Sequence, residues 1–505
     1  MKNDRIGLVN SVDIDAQLSP DKTKHCDCHV CTAKCLSIIF FCIGVVLMGT
    51  MGIALYFSLH NETTKLVPTG PSVVPDPPRC TDQCVITLVE SIPENLTYPA
   101  GSPSHPSTYS ALMDLMEMAT TQIEIASFYW TLNGSDIDYH DNSSWQGESV
   151  LETLIAAGRD RKLKIKIAQN KPDNGYYNNT RDLAKYAGAE VRSLDFKSLM
   201  GNGILHTKMW LIDRRHFYVG SANLDWRSLT QVKEMGALIR DCPCMAEDMG
   251  KLFDVYWDLG LPSAKIPAQW PTSYDTNINN NHTMDIKFNN TGVAATTYIS
   301  SSPPPFCPVG RTIDVDAIVD IISVAEEFVY VAVMDYFPTT QFTKPRFYWP
   351  VIDDAFRRAA FNRRVKVHLL ISYWQHTWDD MKIYLRSLND LWFKSYPEVD
   401  ITVKMFEVPA FTDAQKKIPY GRVNHNKYMV TDKTAYIGTS NWSADYFINT
   451  GGIGLVINQK RTATSPTEGD VRQQLEDVFL RDWNSKYAWD LNNFNFTSVD
   501  RHTEL

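Results

Sequence analysis

The sequence predicts an α/β protein made of two tandem α/β sandwich halves, related by pseudo-two-fold symmetry and preceded by one N-terminal transmembrane helix. Two observations predict the duplication: a His-x-Lys pattern occurs twice, about 220 residues apart, and each copy follows the same order of helix-like and strand-like segments. A third observation predicts the membrane helix. Residues 35–59 carry no charge, and about 20 apolar residues are enough to cross a bilayer.

The N-terminal region reads as tail, membrane helix and stalk. Residues 1–34 are polar and predict a cytosolic tail, and proline-rich residues 60–79 predict a stiff lumenal stalk. A cleaved signal peptide is the alternative reading of 35–59. It is disfavoured because a long polar segment precedes the run and the run exceeds a signal-peptide core. Lysines precede the run at Lys22, Lys24 and Lys34. This excess places the N-terminus in the cytosol and the remainder in a lumen, as in a single-pass type II protein.

The remaining chain divides into a first half at 80–262, a connecting segment at 263–310 and a second half at 311–505. In each half a helix-period segment precedes an alternating strand, and a helix, turn and strand follow. These paired segments are 111–130 with 317–337 and 151–168 with 351–371. The recurring order predicts one α/β sandwich per half.

The repeated pattern supplies the candidate catalytic side chains. The first copy contains His206, Lys208, Asp213 and Asn223, and the second contains His425, Lys427, Asp432 and Asn441. In a strand, residues i and i+2 point to the same face, so each histidine shares a face with its lysine. One such pair is typical of an ordinary surface strand. Two copies with matching Gly-Ser/Thr-x-Asn turns instead predict one cationic site with two imidazoles, suited to attack on a phosphodiester.

Five cysteines lie beyond the membrane run, and four of them form two close pairs: Cys80 with Cys84, and Cys242 with Cys244. An oxidising compartment favours disulfides between the pairs. We favour the nested pairing Cys80–Cys244 and Cys84–Cys242, although spacing does not fix connectivity. A zinc site is the alternative, and Cys307 is left over.

Glycosylation acceptors all follow the membrane run, in agreement with a lumenal C-terminal region. They are Asn61, Asn95, Asn133, Asn142, Asn178, Asn281, Asn289 and Asn495. A ninth acceptor, Asn441, lies inside the second motif and is expected to stay unmodified. The net charge of −9 argues against a generally basic nucleic-acid coat but allows a local positive cleft.

The motif His-x-Lys-x4-Asp followed by Gly-Ser/Thr-x-Asn resembles the signature of the phospholipase D superfamily. Stretches such as GSANLDWRSLTQVKE and YIGTSNWS are similar to its lysosomal type II membrane branch, which contains members three and four. The resemblance implies a 5′ to 3′ exonuclease that acts on 5′ ends of single-stranded DNA or RNA. It further implies delivery to the lysosome through the endoplasmic reticulum and Golgi, with the stalk a candidate site for cleavage to a soluble form.

Other readings stay open. The same residues would serve a phospholipid phosphodiesterase or transphosphatidylase that makes bis(monoacylglycero)phosphate. A catalytically inactive membrane receptor is the non-enzyme alternative. One chain carries both motifs, so a homodimer is compatible with the chemistry but not required for it.

The resemblance implies covalent catalysis without a metal or cofactor. One imidazole forms a phosphohistidine and the other protonates the leaving oxygen, while Lys208, Lys427, Asn223 and Asn441 stabilise the phosphate oxygens. A carboxylate, Glu234, is expected to hold the back nitrogen of the first imidazole, and the matching position is Gly452. This asymmetry favours His206 as nucleophile and His425 as acid over the reverse assignment.

Three further expectations concern the surroundings of the site. Glu234 has an alternative role as a surface partner of Lys233 or Arg240. Asp213 and Asp432 are expected to be structural, held by neighbouring basic residues. The aromatic side chains expected either to stack on a terminal base or to pack in the core are Phe128, Tyr129, Trp130, Tyr336 and Phe337.

Overall fold

Alternating apolar strands of the first half form a seven-stranded sheet. Its spatial order is Val85–Ser91, Glu234–Arg240, His216–Gly220, Met209–Ile212, Gln122–Ser127, Lys164–Asn170 and Glu190–Leu194. The last three strands are parallel and the others are antiparallel. Helices cover the parallel part, as the crossover connections between parallel strands require. A two-stranded ribbon pairs Trp130–Thr131 with Leu224–Asp225.

The second sheet repeats this order and extends it to ten strands. Its seven matching strands are Ala294–Ser302, Gly452–Asn458, Thr434–Gly438, Lys427–Thr431, Phe328–Val333, Lys366–Tyr373 and Ile401–Glu407. The additional strands at its margins are Met284–Lys287, Thr312–Ile313 and Ala488–Asp490. The mixed α/β fold and the duplicated strand order agree with the sequence prediction.

The connecting segment differs from the prediction. Within 263–310, Met284–Lys287 and Ala294–Ser302 are strands of the second sheet. Ala294–Ser302 occupies the position that Val85–Ser91 holds in the first sheet, so the second repeat begins near 294 rather than 311. Composition hid this because the flanking turns are rich in proline and asparagine.

Helices of at least eight residues lie in both halves. In the first half they are Thr108–Met118, Trp145–Arg159, Asn178–Ala187 and Pro243–Leu259. In the second they are Asp314–Val324, Val351–Arg363, Met381–Asn389 and Val471–Trp483. Short helices are Phe196–Met200, Trp226–Thr230, Asp413–Lys417 and Ala444–Ile448.

The two sheets share one central hydrophobic core. Phe217 of the first sheet, Ile437 of the second and Phe253 and Phe479 of two intervening helices belong to it. Each half has a second core under its outer helices. The central core includes residues of Met209–Ile212 and Lys427–Thr431, so it joins the strands that follow the two motif histidines.

The computed structural model describes residues 78–137, 139, 141–289, 294–391, 397–460, 470–494 and 496. The predicted tail, membrane helix and most of the stalk lie outside them. Among the described residues, no helix is both long enough and apolar enough to span a membrane.

The disulfide prediction is confirmed. Cys80 bonds Cys244 and Cys84 bonds Cys242, in the nested arrangement. The bonds tie the segment before the first strand to the start of Pro243–Leu259. Cys307 is unbonded, and burial raises the pKa of its thiol to about 12.

The acceptor asparagines differ in their surroundings. Asn95, Asn142, Asn178 and Asn281 are exposed, whereas Asn133 and Asn289 are half-buried and hydrogen-bonded. Asn61 and Asn495 lie outside the described residues. Asn441 is only 1% exposed, so its side chain cannot carry a glycan in the folded protein. Modification at the other positions stays a prediction.

Candidate active site

The backbone around each catalytic histidine is bound to the opposite half. The N–H of His206 donates to the carbonyl of Gly451 at 2.8 Å, and the N–H of His425 donates to the carbonyl of Lys233 at 2.8 Å. The preceding residues form matching bridges, Leu205 with Gly451 and Asn424 with Lys233. The two motifs are therefore assembled by reciprocal contacts, as pseudo-two-fold symmetry requires.

The motif glycines permit a close approach beside each asparagine turn. A Cβ at Gly220 would lie 2.6 Å from the Cα of Gly236 and 2.6 Å from the hydroxyl oxygen of Tyr218. A Cβ at Gly438 would lie 2.6 Å from the hydroxyl oxygen of Tyr436. Only glycine leaves room for the tyrosine ring at these positions.

Both histidines line one cavity of about 570 Å³ at the junction of the halves. Asn223, Glu234 and Asn441 line it as well. Residues more than 200 positions apart in the sequence thus meet in one site, as the duplicated motif predicted. Lys208 and Lys427 are buried outside the cavity lining, and each ammonium donates to the carbonyl of its own histidine, at 2.6 and 2.8 Å respectively.

The back nitrogens of the two imidazoles have different partners. Nδ1 of His425 lies 2.9 Å from Oε2 and 3.0 Å from Oε1 of Glu234. Nδ1 of His206 lies 2.8 Å from the backbone carbonyl oxygen of Thr439. A hydrogen bond from Nδ1–H to these oxygens leaves Nε2 of each ring as the reactive nitrogen.

The expectation that Glu234 holds His206 is therefore wrong, as is its alternative as a surface residue. Glu234 is fully buried and reaches across to the histidine of the other half. The sequence gives the spacing between Glu234 and the first motif. It does not show that this carboxylate contacts the histidine of the other half. At Gly452 a Cβ would lie 2.2 Å from Oγ of Ser440, so no second carboxylate fits there.

Burial and mutual repulsion suppress protonation of the cationic groups. Burial, followed by the charges of Lys208 and Lys427, lowers the pKa of His206 well below its usual value. Burial also lowers the pKa of His425, but the Glu234 carboxylate opposes that shift. Burial lowers the pKa of Lys427 to about 7. An anionic phosphate would relieve this repulsion, which makes the cavity an anion site.

The two motif asparagines have unlike neighbours. Nδ2 of Asn223 donates to the hydroxyl of Tyr129 at 3.3 Å. Nδ2 of Asn441 donates to the hydroxyl of Tyr446 at 3.1 Å and lies 3.4 Å from Oδ2 of Asp335. Strand registers show that Tyr129 and Asp335 occupy equivalent positions, two residues beyond matching strand ends. Burial raises the pKa of Asp335 to about 7, against the opposing charge of Lys427.

The motif aspartates lie at strand ends remote from the cavity lining. Asp213 accepts hydrogen bonds from the N–H and hydroxyl groups of Thr120 and Thr121 and from the N–H of Gln122. Burial tends to raise the pKa of Asp213, but these hydrogen bonds outweigh it and hold the pKa far below the usual range. Asp432 accepts from the N–H groups of Glu326 and Glu327. The expectation that basic residues hold these aspartates is wrong, because backbone amides and hydroxyls hold them; a purely structural role stays a prediction.

The predicted aromatic candidates separate into two groups. Phe128 and Tyr129 line the cavity. Trp130, Tyr336 and Phe337 are buried in the outer cores, so the packing alternative holds for them.

Several lining residues lie outside the motif and were not singled out from the sequence. They are Lys171, Arg227, Trp374, Tyr420 and Tyr446. Tyr446 lies 5.0 Å from His206 between ring centroids. Arg227 and Tyr446 follow the asparagine turns by four and five residues, which was a usable signal. Trp374 and Tyr420 had none, because they reach the site through loops of the second half.

Comparisons with known proteins agree with this geometry. Residues 100–411 match the model of a family described as PLD3/4, PLD-like domain. The 5′-3′ exonuclease PLD3 of Xenopus laevis is 46% identical over 463 residues, which cover 92% of this chain and 91% of that protein. The 5′-3′ exonuclease PLD4 of Mus musculus is 46% identical over 413 residues, covering 81% of this chain and 80% of that protein.

A solved structure shares the fold. The crystal structure of phosphatidylserine synthase from Haemophilus influenzae Rd KW20 aligns with a TM-score of 0.51 and 11% identity. The alignment covers 78% of this chain and 87% of that one. At this identity the likeness concerns the fold alone.

Proposed function

This chain belongs to the PLD3/4 branch of the phospholipase D superfamily, and on that basis we propose that it is a phosphodiesterase acting as a 5′–3′ exonuclease on single-stranded nucleic acid. The observation that carries the proposal is the common cavity lined by His206 and His425, each with its back nitrogen fixed and Nε2 left for chemistry. The relatives' exonuclease activity supplies the substrate class.

The two imidazoles have different partners behind Nδ1, and these partners favour different protonation states. A carboxylate stabilises an imidazolium, so the resting proton belongs to His425 beside Glu234. His206 has only a neutral carbonyl behind it and stays unprotonated, as a nucleophile must. The proposed roles are therefore His206 as nucleophile and His425 as general acid, the same assignment that the sequence favoured but for a different reason.

The reaction proceeds in two displacements. Nε2 of His206 attacks phosphorus while the bond to the leaving oxygen breaks, and the proton of His425 passes to that oxygen. Water then attacks the phosphohistidine, gives its proton to His425, and the P–N bond breaks. Lys208, Lys427, Asn223 and Asn441 stabilise charge on the non-bridging oxygens.

The cavity lining favours a nucleic acid over a lipid. Charged and polar groups line it together with aromatic rings, including Lys171, Arg227, Phe128 and Tyr420. Its aliphatic members are Ile204, Val232 and Val423, with Met334, which do not make a groove for an acyl chain. We therefore keep transphosphatidylation as the alternative outcome of the test.

We also propose a lysosomal setting with one N-terminal membrane helix. The two disulfides and the exposed acceptor asparagines support passage through an oxidising secretory route. The lowered histidine pKa values fit an acidic compartment, because one imidazole can remain neutral there.

The test is digestion of end-labelled single-stranded DNA by the full-length protein at pH 5 in the presence of EDTA. We expect stepwise release of mononucleotides from the 5′ end. His206→Asn should abolish release, whereas replacement of a surface histidine, His282→Ala, should preserve it. Release that requires added Mg²⁺, or transfer to lipid alcohols without nucleotide release, would refute the proposal.

A further inference from the structure

Three aromatic side chains form a cluster on the His425 side of the cavity, where the N–H of Asn424 donates to Oγ of Ser372, two residues before Trp374, at 3.1 Å. We call Trp374, His376 and Tyr420 the aromatic rim. The rings of His376 and Tyr420 are stacked, 4.6 Å apart at 15°, and Trp374 lies edge-on to His376 at 4.7 Å. Trp374 and Tyr420 line the cavity that holds the catalytic histidines. The rim belongs to neither copy of the repeated motif.

The backbone next to Tyr420 is hydrogen-bonded to the first half, although the Tyr420 ring is accessible. Tyr420 is 59% exposed, so the fold does not depend on burying its ring. The segment beneath it is bound to the first half, because Nη1 of Arg227 donates to the carbonyl of Pro419 at 2.6 Å. Arg227 is buried and is also fixed by Asp225. A fixed, exposed aromatic surface beside a cavity is suited to a planar ligand.

The cavity wall beside His206 is built differently. There Tyr446 adjoins His206, but this ring is only 7% exposed, and its hydroxyl accepts a hydrogen bond from Asn441. The motif position equivalent to Arg227 is Asp445, which accepts from the backbone N–H groups of 341–343. The ring of Tyr446 is thus packed internally, whereas the ring of Tyr420 is accessible to a ligand.

We propose that the aromatic rim is a nucleobase-stacking subsite for the nucleotide on the His425 side of the scissile phosphate. The inference rests on the proposed nuclease function and extends it with a binding site. Every base has a flat π face, so stacking holds any sequence, as an exonuclease needs. His376 stacks on one face of the Tyr420 ring and fixes its orientation. The nucleobase stacks on the part of the Tyr420 ring that is exposed.

The test combines variants of the rim with substrates that lack one base. Single-stranded oligonucleotides carry an abasic residue at the first, second or third position from the 5′ end, and the rate of first cleavage is measured. We expect Tyr420→Ala to raise KM for the unmodified oligonucleotide roughly 5- to 100-fold, with kcat within about twofold of the wild type. Tyr420→Phe, which keeps the ring, should retain the wild-type KM.

The double comparison identifies the subsite. At one abasic position the wild type should lose affinity by a similar factor, and Tyr420→Ala should show no further loss there, because the same contact is already absent. Tyr348→Ala removes a ring that is 66% exposed but does not line the cavity, and serves as the matched control. Trp374→Leu should reproduce the effect on KM if it contributes to the same surface.

Two results distinguish failure of the proposed exonuclease function from failure of the proposed base subsite. If the wild-type protein releases no nucleotide from any oligonucleotide, the proposed exonuclease function is refuted. Normal digestion by the wild type, together with an undiminished abasic penalty in Tyr420→Ala at all three positions, leaves the function intact and overturns the rim as a base subsite.

Discussion

The two halves share one scaffold and differ in what stands behind each imidazole. Both use the same strand order, a His-x-Lys segment that leads into a strand, and a glycine beside the asparagine turn. Yet His425 is held by a carboxylate and His206 by a backbone carbonyl. Duplication brings two imidazoles to one cavity, and divergence at Glu234 and Gly452 gives them unlike partners, on which the proposed roles of nucleophile and acid rest.

The largest expected effect concerns the two histidines. His206→Asn and His425→Asn should each lower kcat/KM for DNA by about 10³-fold or more, since each removes a whole catalytic role. With bis(p-nitrophenyl) phosphate the leaving group needs no proton. His425→Asn should then give a burst of nitrophenolate and a trapped phosphohistidine, and His206→Asn should give none.

Mass spectrometry of the quenched protein locates the phosphate. A phosphopeptide containing His206 in His425→Asn agrees with the proposed roles. A burst in His206→Asn with phosphate on His425 would reverse them and would show that the carboxylate serves the nucleophile.

The next effect concerns the group that makes the halves unequal. Glu234→Gln should reduce kcat about 10- to 100-fold, because the imidazolium of His425 loses its counter-charge. The wild type should show a bell-shaped pH profile that peaks on the acid side of neutrality. Glu234 opposes the lowering of the pKa of His425, so its removal lowers that pKa further and moves the alkaline limb to lower pH.

A surface carboxylate provides the control for Glu234→Gln. Glu326→Gln replaces a carboxylate whose side chain is 75% exposed and should leave the pH profile of kcat unchanged. An unchanged alkaline limb in Glu234→Gln would mean that His425 is not the group titrating there.

The motif aspartates should affect stability unequally. Asp213 accepts five hydrogen bonds and Asp432 accepts two from the described residues. We expect Asp213→Ala to lower the free energy of unfolding by about 2–4 kcal/mol and Asp432→Ala by about 1–2 kcal/mol, at about 1 kcal/mol per bond with partial exposure. Denaturant unfolding measures both. Equal losses, or lost turnover in fully folded protein, would contradict a purely structural role.

The pH dependence of that difference follows from the depressed pKa of Asp213. The carboxylate stabilises the fold above the unfolded-state pKa of about 4, and its contribution is lost as the pH falls through the lower folded-state pKa. The Asp213→Ala penalty should therefore be as large at pH 5 as at pH 7.

The last effect is a pH-dependent one and concerns Asp335, which lies where the first half has Tyr129. Its folded pKa of about 7 lies above the unfolded value, so the protonated form stabilises the fold below pH 4 and this contribution fades as the pH rises through 7. Asp335→Asn removes that dependence. Its free energy of unfolding relative to the wild type, measured by denaturant unfolding, should rise by on the order of 2 kcal/mol between pH 5 and pH 8.

The equivalent variant in the first half is Tyr129→Phe. It should show a pH-independent difference over the same range, because no group that titrates there has been removed. A flat difference for Asp335→Asn would mean that the carboxyl keeps one protonation state throughout.

Much of the fold and the site could be predicted from local pattern. Alternation predicted a strand through each motif, and the observed strands begin just after the histidines, at Met209 and Lys427; repetition predicted that the two motifs meet. The boundary near 294 could not be predicted, because a strand such as Ala294–Ser302 is recognised only by the sheet edge it completes. The partner of Glu234 could not be predicted either, since the reciprocal bridges at Gly451 and Lys233 join segments about 190 residues or more apart.

The sequence by itself determined the inventory of the site: two histidines, two lysines, two asparagines and the glycines beside them. Local pattern suffices for these because a strand's alternation and a turn's backbone depend on neighbouring residues. Only the tertiary structure decided which half supports which imidazole and which aromatic rings reach the cavity. Those contacts arise where the two sheets share a core. They join residues that are far apart in the sequence, so local sequence pattern does not predict which of them meet.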